Sequence, residues 1–522
     1  MKSQQKILPN IYRDSVALMQ ISSKLCDLPG VIQASAIMAT AANIELLLEA
    51  GLIKKAIEPA PNDLLIAIQG DDDKSIAVAF DQAEEKLNEA PSTTSNGNAA
   101  ALAPQSIEMA LDEFPEAQLA LISCPGEYAG AEAKKALQLG LDVMIFSDNV
   151  SFEDERALKE LAIDLDKLVM GPDCGTAILN GVPLGFANVV AKGDIGIVAA
   201  SGTGLQQVSC LVDQLGAGIS QAIGTGGRDL NAKIGGLSML KGILTLSQDS
   251  DTKVIVLVSK PPSSEIAEKV LAEASTCGKP VVVNFLGADL ATLKGENIYP
   301  VETLEEAAHT AAQLSKEDTP SSGPLPRHSV KPAEIKKIAQ TLSDSQKYVR
   351  GLYSGGTFSY EAMLLLDQEI GPMNSSSPLN AEHKLNDIWS STGNTIIDLG
   401  DDLFTRGRPH PMIDHRLRND RILQEAEDPE TAVILLDVVI GHGSHNDPAG
   451  EMVASIKTAR KAANKIGNNP AFVTFVCGTH GDPQNFAAQE NKLRDAGAIV
   501  LESNAQAVRL TSDILLAVGE TK

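Results

Sequence analysis

The sequence predicts an α/β protein: several parallel-sheet layers, with a small α/β unit at the N-terminus. Three observations predict it. Helix-like and strand-like stretches alternate along the 522 residues, the pattern of sheets covered by helices on both faces. The strands read as continuous apolar runs, such as LALIS at 119–123, VIVLVS at 254–259 and PVVVNFLG at 280–287. Forty-two glycines beside 3% aromatics suit tight β-to-α turns and disfavour an all-β sandwich or an aromatic stacking platform. At about 150 residues per domain the length predicts three or four domains.

Residues 1–90 read as the small unit. Helical spacing covers Ser15 to Leu25, Ile44 to Ala50 and Ala77 to Glu89, and strands cover Val31 to Ala39 and Leu64 to Ile68. PSTTSNGNAAALAP at 91–104 has linker composition. Residues 105–190 form the next domain: strands at Leu119–Ser123, Asp142–Phe146 and Lys167–Met170, and a helix at Gly130–Leu139. Ser151, with Asp154 three residues on, caps a further helix. Residues 191–315 open on IGIVAA, turn at SGTG and continue as a helix from Leu205 to Leu215. SKEDTPSSGPLPRHSVKP at 315–332 is a second linker. Residues 346–522 repeat the design with YVRGLYSGGTFSYEAMLLL, followed by strands at Thr395–Leu399, Val433–Val439, Ala471–Cys477 and Ile499–Leu501.

Forty-three Lys and Arg against 68 Asp and Glu leave a net charge of −25. That argues against nucleic acid or an anionic membrane as partner; a small-molecule substrate is expected. Six scattered cysteines without a CxxC make no disulfide framework and point to the cytoplasm. The start MKSQQKILPNIYRD lacks the apolar core of a signal peptide, and no run of about 18 apolar residues is present.

A strand–SGTG–helix turn aims free N–H groups at an anion, with the helix dipole behind them. Ser201, Gly202, Thr203 and Gly204 form one such turn, and Ser354, Gly355, Gly356 and Thr357 another. Either turn alone is equally explained as a capped tight turn; the duplication favours a shared phosphate or carboxylate. Gly226, Gly227 and Arg228 lie in a second glycine-rich loop, open to a ligand and carrying a cation, or simply a turn. MGPDCGT at 170–176 places Asp173 and Cys174 after a strand, at the sheet edge where α/β ligands bind. No acid or histidine near Cys174 in sequence marks it as an activated nucleophile. There is no GxxxxGK[ST] and no clean GxGxxG.

Six of the eight histidines lie between 383 and 480. No HExxH or similar compact spacing occurs, so no metal is assigned. GRPHP fixes His410 between two prolines beside Arg408, a presentation suited to binding a substrate carboxylate or polarising a carbonyl.

ISCPGEYAGAEAKKALQLGLDVMIFSDNVSFEDE, MGPDCGT, GDIGIVAASGTG and AIGTGGRDL, in this order, resemble the succinyl-CoA synthetase α-subunit. The third unit resembles the C-terminal domain of that enzyme's β-subunit. With SKPP at 259–262, GLYSGGT and IDLGDDLFTRGRPHPMID, nearly the whole chain resembles the FdrA family of acyl-CoA-synthetase-like proteins. The resemblance implies a CoA-binding-type Rossmann domain at 105–190 and two flavodoxin-like succinyl-CoA synthetase domains at 191–315 and 346–522. It also implies two opposed helix N-termini holding phosphate. Where the family carries a phosphorylated histidine in GHAGA, this chain reads GADLATLKGENIYP; where the family has a glutamate, it has Lys260.

What the resemblance implies is acyl transfer to or from phosphate, carbamoyl transfer between oxalurate or oxamate and phosphate as in purine and allantoin breakdown. Phosphate or carbamoyl phosphate is then the substrate and coenzyme A a candidate cofactor. Lys260, Arg408 and His410 would carry the chemistry. Partner subunits from neighbouring genes and an oligomeric assembly are expected. An acyl-CoA ligase or CoA transferase without the phosphohistidine is the alternative, and a non-catalytic sensing or scaffold subunit a third.

Overall fold

The computed structural model describes residues 2–54, 59–60, 62–88, 104–317, 323–406 and 408–521. The linker read at 91–104 lies outside them except for Pro104, as do 318–322 of the second linker. The chain divides into two compact units, residues 1–169 with 402–414, and residues 170–401 with 415–522.

The first unit begins with β1 (Lys2–Leu8), α1 (Ser15–Cys26), β2 (Val31–Met38), α2 (Ala41–Glu49), β3 (Leu64–Gly70) and α3 (Asp73–Asn88), forming an antiparallel sheet in the order β1-β3-β2. Central β3 is apolar on both faces. Leu64, Ile66 and Ile68 pack with Leu18, Leu25, Ile76 and Ala83, while Leu65 and Ala67 pack with Ile44, Leu47 and Leu52. No sequence pattern announces β1: KSQQKIL is a mostly exposed edge, held by backbone pairing from Lys2↔Gly70 to Leu8↔Leu64. The same unit continues with α4 (Ile107–Glu113), β4 (Leu119–Ile122), α5 (Gly126–Gln138), β5 (Asp142–Ile145), α6 (Phe152–Asp164) and β6 (Val169–Met170), a three-stranded sheet in the order β4-β5-β6. Ser151 caps α6 by accepting from Asp154 N at 3.0 Å. α5 starts four residues before the expected Gly130, at Gly126, where a Cβ would lie 2.1 Å from the Asp148 carbonyl oxygen.

The second unit opens with β7 (Thr176–Leu179) and β8 (Val182–Gly185), then β9 (Lys192–Ala200), α7 (Gly202–Gln214), β10 (Ile219–Gly224), α8 (Leu237–Gln248), β11 (Val254–Ser259), α9 (Ser264–Thr276), β12 (Val281–Phe285), β13 (Ile298–Pro300) and α10 (Leu304–Ser315). Their sheet runs β13-β12-β11-β9-β10-β7-β8. The β7–β8 hairpin corrects the sequence reading, which kept all of 105–190 in one Rossmann-type domain. Residues from 176 onward join the next sheet, because β7 pairs antiparallel with β10. Asn180-Gly181 makes the turn with φ of 51° and 80°, the left-handed pair that two-residue hairpins select.

α11 (Pro332–Gln340) leads into β14 (Tyr348–Tyr353), α12 (Gly356–Ile370), β15 (Thr395–Asp398), α13 (Asp402–Thr405, within the first unit), α14 (Arg416–Glu427), β16 (Thr431–Val439), α15 (Pro448–Lys465), β17 (Ala471–Cys477), α16 (Phe486–Asp495), β18 (Ile499–Leu501) and α17 (Asn504–Thr521). This sheet runs β15-β14-β16-β17-β18. Counted from its own first strand it follows 2-1-3-4-5, as does β10-β9-β11-β12-β13, so the two halves repeat one flavodoxin-like plan. Asn188 ties them: its Nδ2 donates to the Ile440 carbonyl at 2.8 Å and to Asp482 Oδ2 at 2.7 Å.

Gly193 on β9 approaches Gly218 so closely that a Cβ would stand 2.5 Å from that residue's Cα and carbonyl carbon. Backbone cannot yield as a side chain does. Gly193→Ala should therefore destabilise the protein by about 2 kcal/mol, read as a lower melting temperature; an unchanged melt would refute the close approach.

Candidate functional site

The carboxyl edges of the two repeated sheets meet at their glycine turns. Ser201, after β9, accepts from Gly204 N at 3.0 Å and so caps α7. Its hydroxyl also meets that of Thr357, in the first turn of α12, at 2.6 Å. A Cβ on Gly355 would stand 3.0 Å from the Thr203 methyl. Two helix N-termini thus face each other within the second unit. The first N–H groups of a helix have no partner inside it. α12 has no side-chain cap, and Ser201 serves Gly204 alone on α7, which leaves Gly202, Thr203, Gly356 and Thr357 to offer N–H groups. Gly202 is exposed, and Thr203 and Gly356 are half-buried, so solvent reaches the junction.

The two turns are not equivalent. Asp437, buried on β16, fills the start of the second: it accepts from Ser354 N at 2.9 Å, Ser354 Oγ at 2.9 Å and Gly355 N at 2.8 Å. Ser354 and Gly355 thus serve an internal carboxylate. This corrects the expectation that they hold phosphate directly. Arg418 pairs with Asp437 at 2.7 Å, both fully buried, and its other amino group lies 2.8 Å from His415 Nδ1. Burial first, then the Arg418 charge and His445, hold His415 well below the usual imidazole range.

Asp398 ends β15 beside the same turn. Its Oδ1 accepts from Gly400 N at 2.9 Å, and its Oδ2 lies 2.5 Å from where a Cβ on Gly356 would stand. Burial pushes this carboxyl up to about 7; the Asp401 and Asp437 charges add, while the Gly400 N–H and Lys260 oppose. The residue as a whole keeps some solvent contact, yet its carboxyl lies deep enough for desolvation to dominate. Lys260, exposed after β11, sets its ammonium 5.3 Å from the centre of the Tyr360 ring on α12.

Asp173, Cys174, Gly226 and Gly227 line a narrow cleft with Thr176, Ser201 and Gly202, at the α7 terminus. Gly224 and Gly226 admit neighbouring backbone rather than a ligand: a Cβ would fall 2.3 Å from the Thr176 carbonyl oxygen and 2.2 Å from that of Pro172, respectively. Gly227 alone is open, its Cβ position 4.0 Å from Asp173, with half-buried Arg228 following. Cys174 is buried and its thiol donates to the Gly224 carbonyl at 3.3 Å, a structural use. The residues that line the cleft are small or polar, with no aromatic side chain among them. Arg408 and His410 fall in 402–414, part of the first unit, where His410 Nδ1 accepts from Met412 N at 3.2 Å. Asp398, Asp437 and Arg418 are what the sequence reading missed. An acid at the end of an apolar strand, at the carboxyl edge where α/β ligands gather, was the available signal.

Among the described residues no group of three or more His, Cys, Asp or Glu is placed to hold a metal, and no helix is long and apolar enough to cross a membrane. Family models match at three places: a CoA binding domain at 190–287, a CoA-ligase domain at 352–514, and a model described as AllF, heavy metal-associated domain, at 1–104. The CoA-binding match lies one domain later than the 105–190 expected for it. Heavy metals call for soft donors; residues 1–104 have one cysteine, Cys26, and no histidine, and the Cys26 sulfur accepts from Ala34 N at 2.9 Å. That donor set does not fit a metal. YahF of Escherichia coli is 42% identical over 512 residues, 98% of each chain. Subunit alpha 2 of the ADP-forming succinate–CoA ligase of Archaeoglobus fulgidus is 27% identical over 173 residues, 32% of this chain and 58% of that subunit. The acetyl-coenzyme A synthetase 1 structure from Korarchaeum cryptofilum is 15% identical, with 77% of this chain and 83% of that one covered and a TM-score of 0.31. Full-length identity to YahF, with CoA-binding and CoA-ligase models on the two repeated halves, makes this chain a member of the FdrA-like family of succinyl-CoA synthetase-like acyl-transfer proteins.

Proposed function

We propose that the chain is an acyl-transfer enzyme, or the large subunit of one, that moves a carbamoyl group between oxamate or oxalurate and phosphate without a phosphohistidine. The observation that carries the reading is the Ser201–Thr357 contact at 2.6 Å. It sets two helix N-termini against one point, where an anion satisfies both dipoles at once. Gly202 and Thr203 on one side, and Gly356 and Thr357 on the other, hold that anion; Lys260 supplies a nearby cation. The loop after β12, GADLATLKGENIYP, has no histidine to carry a phosphoryl group. Phosphate oxygen then attacks the carbamoyl carbon of oxalurate directly, the C–N bond to the oxamate nitrogen breaks, that nitrogen takes up the proton lost from phosphate and leaves as oxamate, and the N–H groups stabilise the charge that develops. The work takes place in the cytoplasm with partner subunits in an oligomeric assembly, and Arg408 and His410 serve a substrate carboxylate.

The CoA-ligase and CoA-binding matches favour a second reading, an acyl-CoA ligase completed by another subunit. The experiment follows phosphate release when the purified chain, with and without the products of its neighbouring genes, meets carbamoyl phosphate and oxamate. Release dependent on oxamate supports carbamoyl transfer. Thioester formation from an acyl phosphate and coenzyme A, with no response to oxamate, supports the ligase.

Two variants test the site itself. Thr203→Val removes a hydroxyl at the junction and should weaken phosphate binding by about 1.5 kcal/mol, the scale of a hydrogen bond to a charged group, as read by calorimetry. Lys260→Glu should weaken it at least about tenfold while leaving the melting temperature of the ligand-free protein in place. Unchanged phosphate affinity in both variants contradicts the site.

A further inference from the structure

Asp398 lies against the first turn of α12 and, among the described residues, makes no ion pair at contact distance, Lys260 acting on it only at longer range. Its Oδ1 is taken by Gly400 N at 2.9 Å; its Oδ2 has no hydrogen-bond partner among the described residues and lies against Gly356. An ionised carboxylate there would repel any anion on the Gly356 and Thr357 N–H groups. A protonated one would instead offer an O–H donor to the same anion, the role a neutral carboxylic acid plays in an oxyanion site.

We propose that Asp398 is a proton-carrying ligand of the anion site: the anion binds together with one proton, held on Asp398 Oδ2 and donated in a hydrogen bond to the anion. This rests on the reading that α7 and α12 hold one anion. The proton comes from solvent and returns to it when the anion leaves. The direction fits the displaced titration of this carboxyl, which burial already pushes up to about 7; a bound negative charge raises it further. The groups facing Asp398 are Asp401 on its own loop, Asp437 on β16, and Lys260 after β11. Asp437 is held by Arg418. His415, beside Arg418, titrates well below the neutral range. Glu361, further along α12, is pushed by burial up to about 7 but is engaged by Leu304 N and by Asn504, so it serves as a control.

The sign follows from linkage. Below the free-protein titration point Asp398 is already protonated and binding takes up no proton. Above it each bound anion must bring one, and affinity falls about tenfold per pH unit. Sulfate is the probe, because its own charge is constant between about pH 6 and 9 and any proton taken up belongs to the protein. Calorimetry of sulfate binding to the full chain, in buffers of different ionisation enthalpy, should show uptake of about one proton near pH 8.5 and about none near pH 5.5. Asp398→Asn should bind sulfate with an affinity flat in pH, and Glu361→Gln should keep the wild-type slope. A wild-type slope retained in Asp398→Asn overturns the proposal. So does sulfate binding without proton uptake in the wild type, which decides the matter even where Asp398→Asn does not fold. In that case a weakening by Thr203→Val leaves the shared anion site standing, whereas no sulfate binding at any pH overturns both readings.

Discussion

The junction depends on one electrostatic constraint: two helices point their positive ends at one spot. Each N-terminus behaves like about half a positive charge, and the hydroxyls of Ser201 and Thr357 meet at 2.6 Å between them. Such a meeting is unfavourable without negative charge nearby. The chain supplies part of it from within. Asp437 satisfies the turn before α12, and Arg418 keeps that carboxylate from standing alone in the interior. What remains is a partial positive field from Gly202, Thr203, Gly356 and Thr357. In the proposed reading an incoming anion completes the design, and the repeated flavodoxin-like plan explains how two such ends come to face each other in one chain.

The internal carboxylate also gives the site a direction. Had both turns been free, a phosphate would be gripped symmetrically. With Asp437 seated at the second turn, the proposed anion would lie toward α7. A dianion meets two carboxyls, one paired with an arginine and one whose charge burial resists.

Much of this was legible in the sequence, for definite physical reasons. Continuous apolar strands such as VIVLVS, and glycine turns that leave no room for a side chain, fix the sheets and put the SGT turns at helix starts. β1 was illegible because an exposed edge strand is defined by backbone pairing and leaves no apolar trace. The β7–β8 hairpin left a local mark in Asn180-Gly181 that the sequence reading did not use, and its sheet left none, since Ile178 pairs with the distant Ala222. The Asp437–Arg418 pair and the placement of Asp398 against Gly356 arise only when β14, β15 and β16 lie side by side.

Whether one anion is shared by the two helix N-termini can be seen in crystals soaked in phosphate. Tetrahedral density is expected within hydrogen-bond distance, about 2.7–3.2 Å, of the N–H groups of Gly202 or Thr203 and of Gly356 or Thr357 together. Density confined to one helix end, or absent from the junction while phosphate occupies other sites, would contradict it.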